Sequence, residues 1–478
     1  MLRETVSTPM KPNLLFFFVD DQRFDTIGAL GNSHISTPNI DRLVAGGLAF
    51  TQAHIPGGTS AAVCMPSRAM LLTGRTLFHL QAEGQEIPAE HVTLGECFQA
   101  AGYETFATGK WHNGRAAFAR SFAAGDQIFF GGMEDHWNVP VYHFDPTGRY
   151  EARLPQVRDP FYTNQVEWRA CDHIESGVHS TNLFVDAALD FLDRRDPQRP
   201  FFLYLALMSP HDPRSMPAEF LARYDPEQIL LPGNFLHQHP HDTGALRVRD
   251  ELLAQIPRQP GEIRRHIAEY YAMISHLDDA LGRLMARLDA LGLSENTLIV
   301  FTGDNGLALG QHGLMGKQSL YDHSLRVPLI FSGPGVPQGQ RSHALAYLLD
   351  IYPTLCELCG VEIPASVEGQ SLLANLPGDP SLRESLSPRE SLYLAYCDSL
   401  RGVRSQNFKL IEYASGVTQL FNLAADPLEK ENLAENAAQA AVLADLRQRL
   451  CRLRDAWDDR RHPQGARFWE QRPDLASN

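Results

Sequence analysis

Four polar clusters in this chain follow directly on apolar runs, and their residue types suit work on an anion beside a cation. Asp20-Asp21 follows residues 14–19, and Lys110-Trp111-His112 follows 104–108 and Gly109. Ser209-Pro210-His211 follows 201–208, and Asp304-Asn305 comes just after 297–302. In open α/β sheets ligands bind outside the carboxyl ends of the strands, so parallel neighbouring strands would bring all four clusters to one crevice. Asp20, Asp21, Asp304 and Asn305 offer chiefly oxygen ligands. Carboxylates brought together repel and raise each other's pKa unless a cation sits among them. An all-oxygen set suits calcium, magnesium or manganese rather than zinc. Taken singly, either acidic pair could be loop-forming or helix-capping, because such residues dominate turns.

The segment from Cys64 to Gly74 reads as a helix, with Pro66 in its first turn and Gly74 at its end. Cys64 then lies at the helix N-terminus, where free N–H groups and the dipole favour an anion. Arg68, one turn on, can point back toward it. The residues alone leave Cys64 open as a small buried hydrophobe or as a metal-free thiol nucleophile.

Cys64-x-Pro66-Ser67-Arg68 followed by Leu71-Leu72-Thr73-Gly74 resembles the signature of type I sulfatases, within the alkaline-phosphatase-like superfamily. Residues 13–21 resemble that family's N-terminal metal strand, and Gly109-Lys110-Trp111-His112 its second catalytic block. Thr302 to Gly306 resembles the third block and His312 to Lys317 the fourth. The ordered matches run from about Asn13 to Gln370; beyond them the likeness rests on 419–423, Asp426-Pro427 and Glu431-Asn432-Leu433.

The resemblance implies that Cys64 is oxidised to formylglycine by a formylglycine-generating enzyme and sits beside a divalent cation, calcium first, with magnesium or manganese as alternatives. Asp20, Asp21, Asp304, Asn305 and residue 64 would hold that cation. The hydrated aldehyde would attack sulfur in line, the cation acting as Lewis acid. Arg68 and Lys110 would supply fixed positive charge. His211 or Lys317 would protonate the leaving oxygen. His112 would take the proton that expels sulfate and restores the aldehyde, splitting one hard hydrolysis into two steps. His312 would reach the substrate. Without the resemblance, Lys110 and Lys317 could be solvated lysines, and His112 and His211 satisfied loop histidines.

The elements that must position these residues alternate. Strands are expected at 14–19, 104–108, 201–208, 297–302 and 328–332, and helices at 181–194, 263–291 and 349–358. Leu277, Leu281, Leu284 and Leu288 give the long helix one apolar face. The alternation predicts an α/β fold: a large catalytic domain, residues 1–375, with a mostly parallel central sheet flanked by helices. A Pro/Gly/Ser-rich stretch, 376–388, reads as a linker. A smaller C-terminal α+β domain, 376–478, would hold a hairpin from 408–413 and 419–423 and a charged helix from 437 to about 457, whose alternating charges over 445–461 read as a solvated face.

A chain of 478 residues with 44% hydrophobic and 21% charged content is ordinary for a soluble globular protein. The net charge of −15 argues against nucleic acid as a partner and repels anionic substrates at long range, so a sulfate site must carry its own positive field. No apolar run is long enough for a membrane span. Seven scattered cysteines do not resemble a disulfide framework, and with no export signal in sight a cytoplasmic location is the expectation. Cys356-x-x-Cys359 lacks a second pair to complete a metal site. His237, His239 and His241 lack a carboxylate or thiolate set to close a metal shell.

The sequence therefore points to a sulfatase acting on a sulfated small molecule or saccharide, its oligomeric state open. A phosphonate monoester or phosphodiester hydrolase of the same superfamily is the nearest rival, and a non-catalytic sulfated-glycan binder a more distant one. The turn 211–214 and the run 313–318 look more like carbohydrate sulfatases.

Overall fold

The computed structural model describes residues 11–373 and 389–476; the expected linker at 376–388 lies outside the described residues. Eight strands form the central sheet, in the order Gln340–Ser342, Gly47–Phe50, Leu329–Ser332, Thr297–Gly303, Asn13–Val19, Phe201–Ala206, Glu104–Lys110, Ala124–Phe129. Only Leu329–Ser332 runs against its neighbours. The sheet is therefore mostly parallel, as expected. It also takes in Gly47–Phe50, Ala124–Phe129 and Gln340–Ser342, runs too short or too polar to read as strands.

The first strand shows why the sheet sits in the middle. Leu14, Phe16 and Phe18 face one core, and Leu15, Phe17 and Val19 face the other. A continuous apolar run is what a strand covered on both faces requires. Helices Ser180–Arg194 and Pro260–Ala290 pack against one another and bury their apolar stripes in the second core.

A second sheet has the order Thr418–Asn422, Phe408–Tyr413, Leu400–Ser405, Ser391–Tyr396, Gly57–Gly58. The hairpin lies where expected. Ser391–Tyr396 and Leu400–Ser405 were not expected, and the fifth strand comes from far upstream: Gly57 and Gly58 pair in parallel with Ala395 and Tyr396. Gly57 has φ 111°, and a Cβ there would stand 2.0 Å from Ala395 O, so only glycine allows this junction. Helix Ala440–Ala456 covers the sheet. The solvated face expected over 445–461 needs correcting at Asp459. It is fully buried, accepting Arg401 Nε, Tyr393 Oη and Trp469 Nε1 at 2.6–2.7 Å, because Arg401 itself is buried and needs a counter-ion. No helix among the described residues is long and apolar enough to cross a membrane.

Candidate active site

Four neighbouring strands end side by side, in the order Thr297–Gly303, Asn13–Val19, Phe201–Ala206 and Glu104–Lys110. Their carboxyl ends deliver Lys110 and His112, Asp20 and Asp21, Asp304 and Asn305, and, after a short turn, His211. Facing them is the helix Cys64–Thr73, which begins at Cys64 and ends at Gly74 with φ 65°. Lys317 arrives on a loop from the second half of the chain. The backbone is bent to present these groups: Asp21 and His112, neither a glycine, hold φ 61° and 78°. Such left-handed residues persist only where their surroundings over-determine them. At Asp21 the brace is Tyr270, whose hydroxyl donates to Asp21 O at 2.5 Å and accepts Arg23 N at 2.9 Å.

The side chains interlock. Arg68 Nε donates to Asp304 Oδ2 at 2.8 Å, Nη2 reaches Asp20 Oδ2 at 3.3 Å, and Nη1 donates to Lys110 O at 3.0 Å. Lys110 Nζ pairs with Asp20 and Gly132 O and stands 3.7 Å from Cys64 Sγ. His112 Nδ1 lies 3.5 Å from the same sulfur. Lys317 Nζ and Asn305 Nδ2 each donate to Asp21 Oδ1 at 2.6 Å, and His211 Nε2 is 3.7 Å from Asp21 Oδ2. Ser67 Oγ donates to Asp304 O at 2.6 Å, and Asp21 N to Asp304 Oδ1 at 3.0 Å.

Electrostatics follow from burial. Burial pushes Asp21 up to about 7 against the pull of Lys317, and Asp304 up to about 6, with Asp20 repelling both. Burial would also raise Asp20, but Lys110, His211, Arg68 and Lys317 together hold it well below the usual carboxylate range. The Cys64 thiol rises to about 11 through burial, despite Lys110 and Lys317. Burial thus disfavours the thiolate form. Burial lowers His211 to about 4 and holds His112 well below the usual imidazole value, Lys317 and Lys110 respectively adding to the effect. Lys317 stays well above its usual value because Asp21, residue 64 and Asp20 outweigh its burial.

This arrangement fits a cation. Two groups of side chains can converge on an ion, Asp20-Asp21-His211 and Asp20-Cys64-Asp304, and among the described residues both such groups contain Asp20. Asp20 Oδ1 and Asn305 Oδ1 are buried without a hydrogen-bond partner, a costly state that coordination would relieve. Ten of the candidates thus converge: Asp20, Asp21, Cys64, Arg68, Lys110, His112, His211, Asp304, Asn305 and Lys317. His312 is placed elsewhere. Its ring stacks on Tyr321 at 3.9 Å, its Nε2 lies 3.0 Å from Asn234 Nδ2, and it is 6% exposed. His239 is buried too, with Nδ1 2.9 Å from His312 O. Tyr270, Gly132 and Gln318 serve the site without a sequence signal; Tyr270 lies on the apolar face of its helix and reads as core. A depression of about 380 Å³ reaches His112 from the surface, lined also by Gln85, Glu86, Arg115, Phe130 and Gly132.

Comparison with known proteins decides the family. Residues 12–361 match the family described as Sulfatase, and residues 310–456 match N-sulphoglucosamine sulphohydrolase, C-terminal. The chain belongs to the sulfatase family. As such it is a sulfuric ester hydrolase of the alkaline-phosphatase-like superfamily. It is 31% identical to the multifunctional alkaline phosphatase superfamily protein PehA of Trinickia caryophylli, covering 94% of this chain and 96% of that protein. It is 28% identical to an ulvan-active sulfatase of Formosa agariphila, covering 96% and 84%. Among solved structures, BT4656 in complex with its substrate D-glucosamine-2-N,6-O-disulfate superposes with a TM-score of 0.74 at 23% identity, covering 94% of this chain and 98% of that one. The phosphonate monoester hydrolase of Agrobacterium radiobacter gives 0.73 at 22%, covering 94% and 96%. These two structures share the fold.

Proposed function

We propose that this sulfatase cleaves a sulfate ester carried by a saccharide, with residue 64 converted to formylglycine by a formylglycine-generating enzyme. Asp20, Asp21, Asp304 and Asn305, beside residue 64, would hold a hard divalent cation, calcium before magnesium or manganese. One observation carries the reading: the Cys64 sulfur stands at a helix N-terminus, 3.5 Å from His112 Nδ1 and 3.7 Å from Lys110 Nζ, against carboxylates with an unpartnered oxygen. That sulfur marks the place a formylglycine oxygen would take. The aldehyde at residue 64 would supply, as its hydrate, the attacking hydroxyl, and a cation held by Asp20, Asp21, Asp304 and Asn305 would supply Lewis acidity.

The chain's own residues do the rest. Arg68 is fully buried, so its fixed charge acts on the sulfuryl group at low dielectric and needs no reorganisation. Lys110 Nζ adds a second charge on the same side. His211 and Lys317 flank Asp21 on the other side, where either can hold the proton that the leaving oxygen takes. His112 Nδ1 accepts the proton of residue 64's remaining hydroxyl. Together these cations supply the local field that the net charge of −15 denies at long range. Support for a saccharide comes from the ulvan-active sulfatase and from the glucosamine disulfate bound to BT4656.

Protein made with the converting enzyme should show an aldehyde at residue 64 by mass spectrometry of its peptide. Cys64→Ala should lose at least roughly 10³-fold in kcat while keeping its Tm; wild-type turnover in that variant would refute the mechanism. The second reading, phosphonate monoester or phosphodiester hydrolysis, has the same buried cations in its favour, since a phosphonate monoester is also singly charged. A panel of sulfated saccharides with an aryl phosphonate control separates the two. The correct sulfate should exceed the phosphonate by at least about 10²-fold in kcat/KM, because unpaired sugar-binding groups reject other leaving groups. Higher efficiency on phosphonates across the panel would assign the second reading.

A further inference from the structure

His211 and Lys317 lie on two separate loops, neither inside a strand or helix. The short helical turn Arg249–Leu253 meets both loops, and its first three residues each hold a different part of them. Arg249 Nη1 pairs with Asp212, the residue after His211. Asp250 Oδ2 accepts Gln318 Nε2 at 2.7 Å. Glu251 accepts Met315 N through Oε2 and Gly316 N through Oε1, both at 2.9 Å. Gln318 extends the hold. Its Oε1 accepts the amide of Lys317 at 3.0 Å, and its Nε2 also donates to Ala61 O at 2.9 Å, just ahead of Cys64. Arg258 backs the turn, pairing with Glu251 and donating from Nε to Gly313 O at 3.0 Å.

Asp250 and Glu251 are 9% and 3% exposed. Buried carboxylates are costly unless paired and hydrogen-bonded, and here both are bound to the loop that carries Lys317. Gly316 is needed for that approach: a Cβ there would stand 2.3 Å from Gln318 Oε1 and 2.9 Å from Asp250 Cβ.

Resting on the sulfatase reading above, we infer that Arg249, Asp250 and Glu251 form a positioning clamp. It holds His211 and Lys317 at a set distance across the leaving oxygen and ties both, through Gln318, to the segment bearing residue 64. The three clamp residues act through the loops. A proton donor works only within hydrogen-bond reach of its oxygen, and misplacing a reacting group by about 1 Å can cost roughly 10²-fold. Loosening the clamp therefore harms esters whose leaving oxygen needs a proton and largely spares those that leave as stable phenolates.

The test compares wild type, Asp250→Ala, Asp250→Asn and Glu251→Gln on an alkyl sulfate and on 4-nitrophenyl sulfate at saturating calcium. Amide hydrogen exchange is followed over Met315 and Gly316. Asp250→Ala should lower kcat on the alkyl sulfate at least about 10-fold and on 4-nitrophenyl sulfate less than about 3-fold, with KM near wild type. Asp250→Asn keeps an acceptor oxygen and should recover most of the loss. Glu251→Gln should speed exchange at Met315 and Gly316. Equal losses on both substrates, or an unchanged alkyl rate in Asp250→Ala, would overturn the clamp. If the wild type cleaves neither these sulfates nor any saccharide of the panel above, the sulfatase reading fails, and unchanged exchange in Glu251→Gln would separately overturn the clamp.

Discussion

Asp21 concentrates the tension in the crevice, with a left-handed backbone, burial, and both Lys317 and Asn305 donating to one carboxylate oxygen. Its raised pKa of about 7 and that of Asp304, about 6, have a consequence for stability. Without a cation the folded protein holds protons that the unfolded chain releases above the ordinary aspartate value of 3.8. That contribution is full below the unfolded value and is lost as pH rises through 6 to 7. Chelated protein should therefore lose Tm from pH 5 to pH 8, and the gain on adding calcium should be larger at pH 8. Equal calcium-induced shifts at both pH values would count against Asp21 and Asp304 as ligands. His211 makes a second case. Its Nδ1 lies 2.7 Å from Asp212 O, leaving Nε2 to face the crevice. His211→Ala should cost a sugar sulfate at least about 10-fold more than an activated aryl sulfate. Equal losses would leave Lys317 as the acid. The crevice carboxylates were legible because they close apolar runs, a position with its own physical meaning. His312 belonged to the same sequence block as Lys317, but its left-handed backbone (φ 52°) and its stacking on Tyr321 place it with His239 and Asn234.

At the scale of elements, the strand carrying Lys110 is the most constrained. Its pairing with Ala124–Phe129 shifts register between Thr108 and Gly109. Gly109 has φ 94°, and a Cβ there would stand 2.0 Å from Ala206 O. Gly109→Ala should cost at least about 2 kcal/mol through strain and overpacking and lower kcat by displacing Lys110. An unchanged Tm in that variant would show that the strand can relax. The alternation of strand and helix was readable where apolar runs were long. Leu400–Ser405 was not, because its pattern includes Arg401 and Arg404, both buried. Their counter-ions, Asp459 and Asp322, lie far away in sequence. A strand whose inward charges are neutralised from elsewhere looks polar until the fold brings its partners.

For the whole molecule, the second sheet is bound to the N-terminal part of the chain by charge as well as by the pairing of Gly57–Gly58. Lys409 is fully buried between Asp322 and Glu429, and His54 and Arg404 also face Asp322. One apolar core runs from Leu14 through Leu410 to Trp469. Protein truncated after residue 373 would expose that core and leave Asp322 buried without Lys409, and breaking such a pair costs about 3–5 kcal/mol. Such a truncation should be insoluble or lack a cooperative unfolding transition. A soluble fragment with a sharp transition would show that the two sheets fold independently.

The pairing of Gly57–Gly58 with Ser391–Tyr396 also sets a schedule. On the ribosome the early glycines emerge long before their partners, and at roughly 5–20 residues per second the wait is on the order of tens of seconds. Cys64 follows Gly58 closely and is 2% exposed once the structure has closed. Until the last strands are made, the segment just ahead of that cysteine lacks its strand partner. On the reading proposed above, this nascent-chain interval is when a converting enzyme would reach the thiol, before the second sheet is complete.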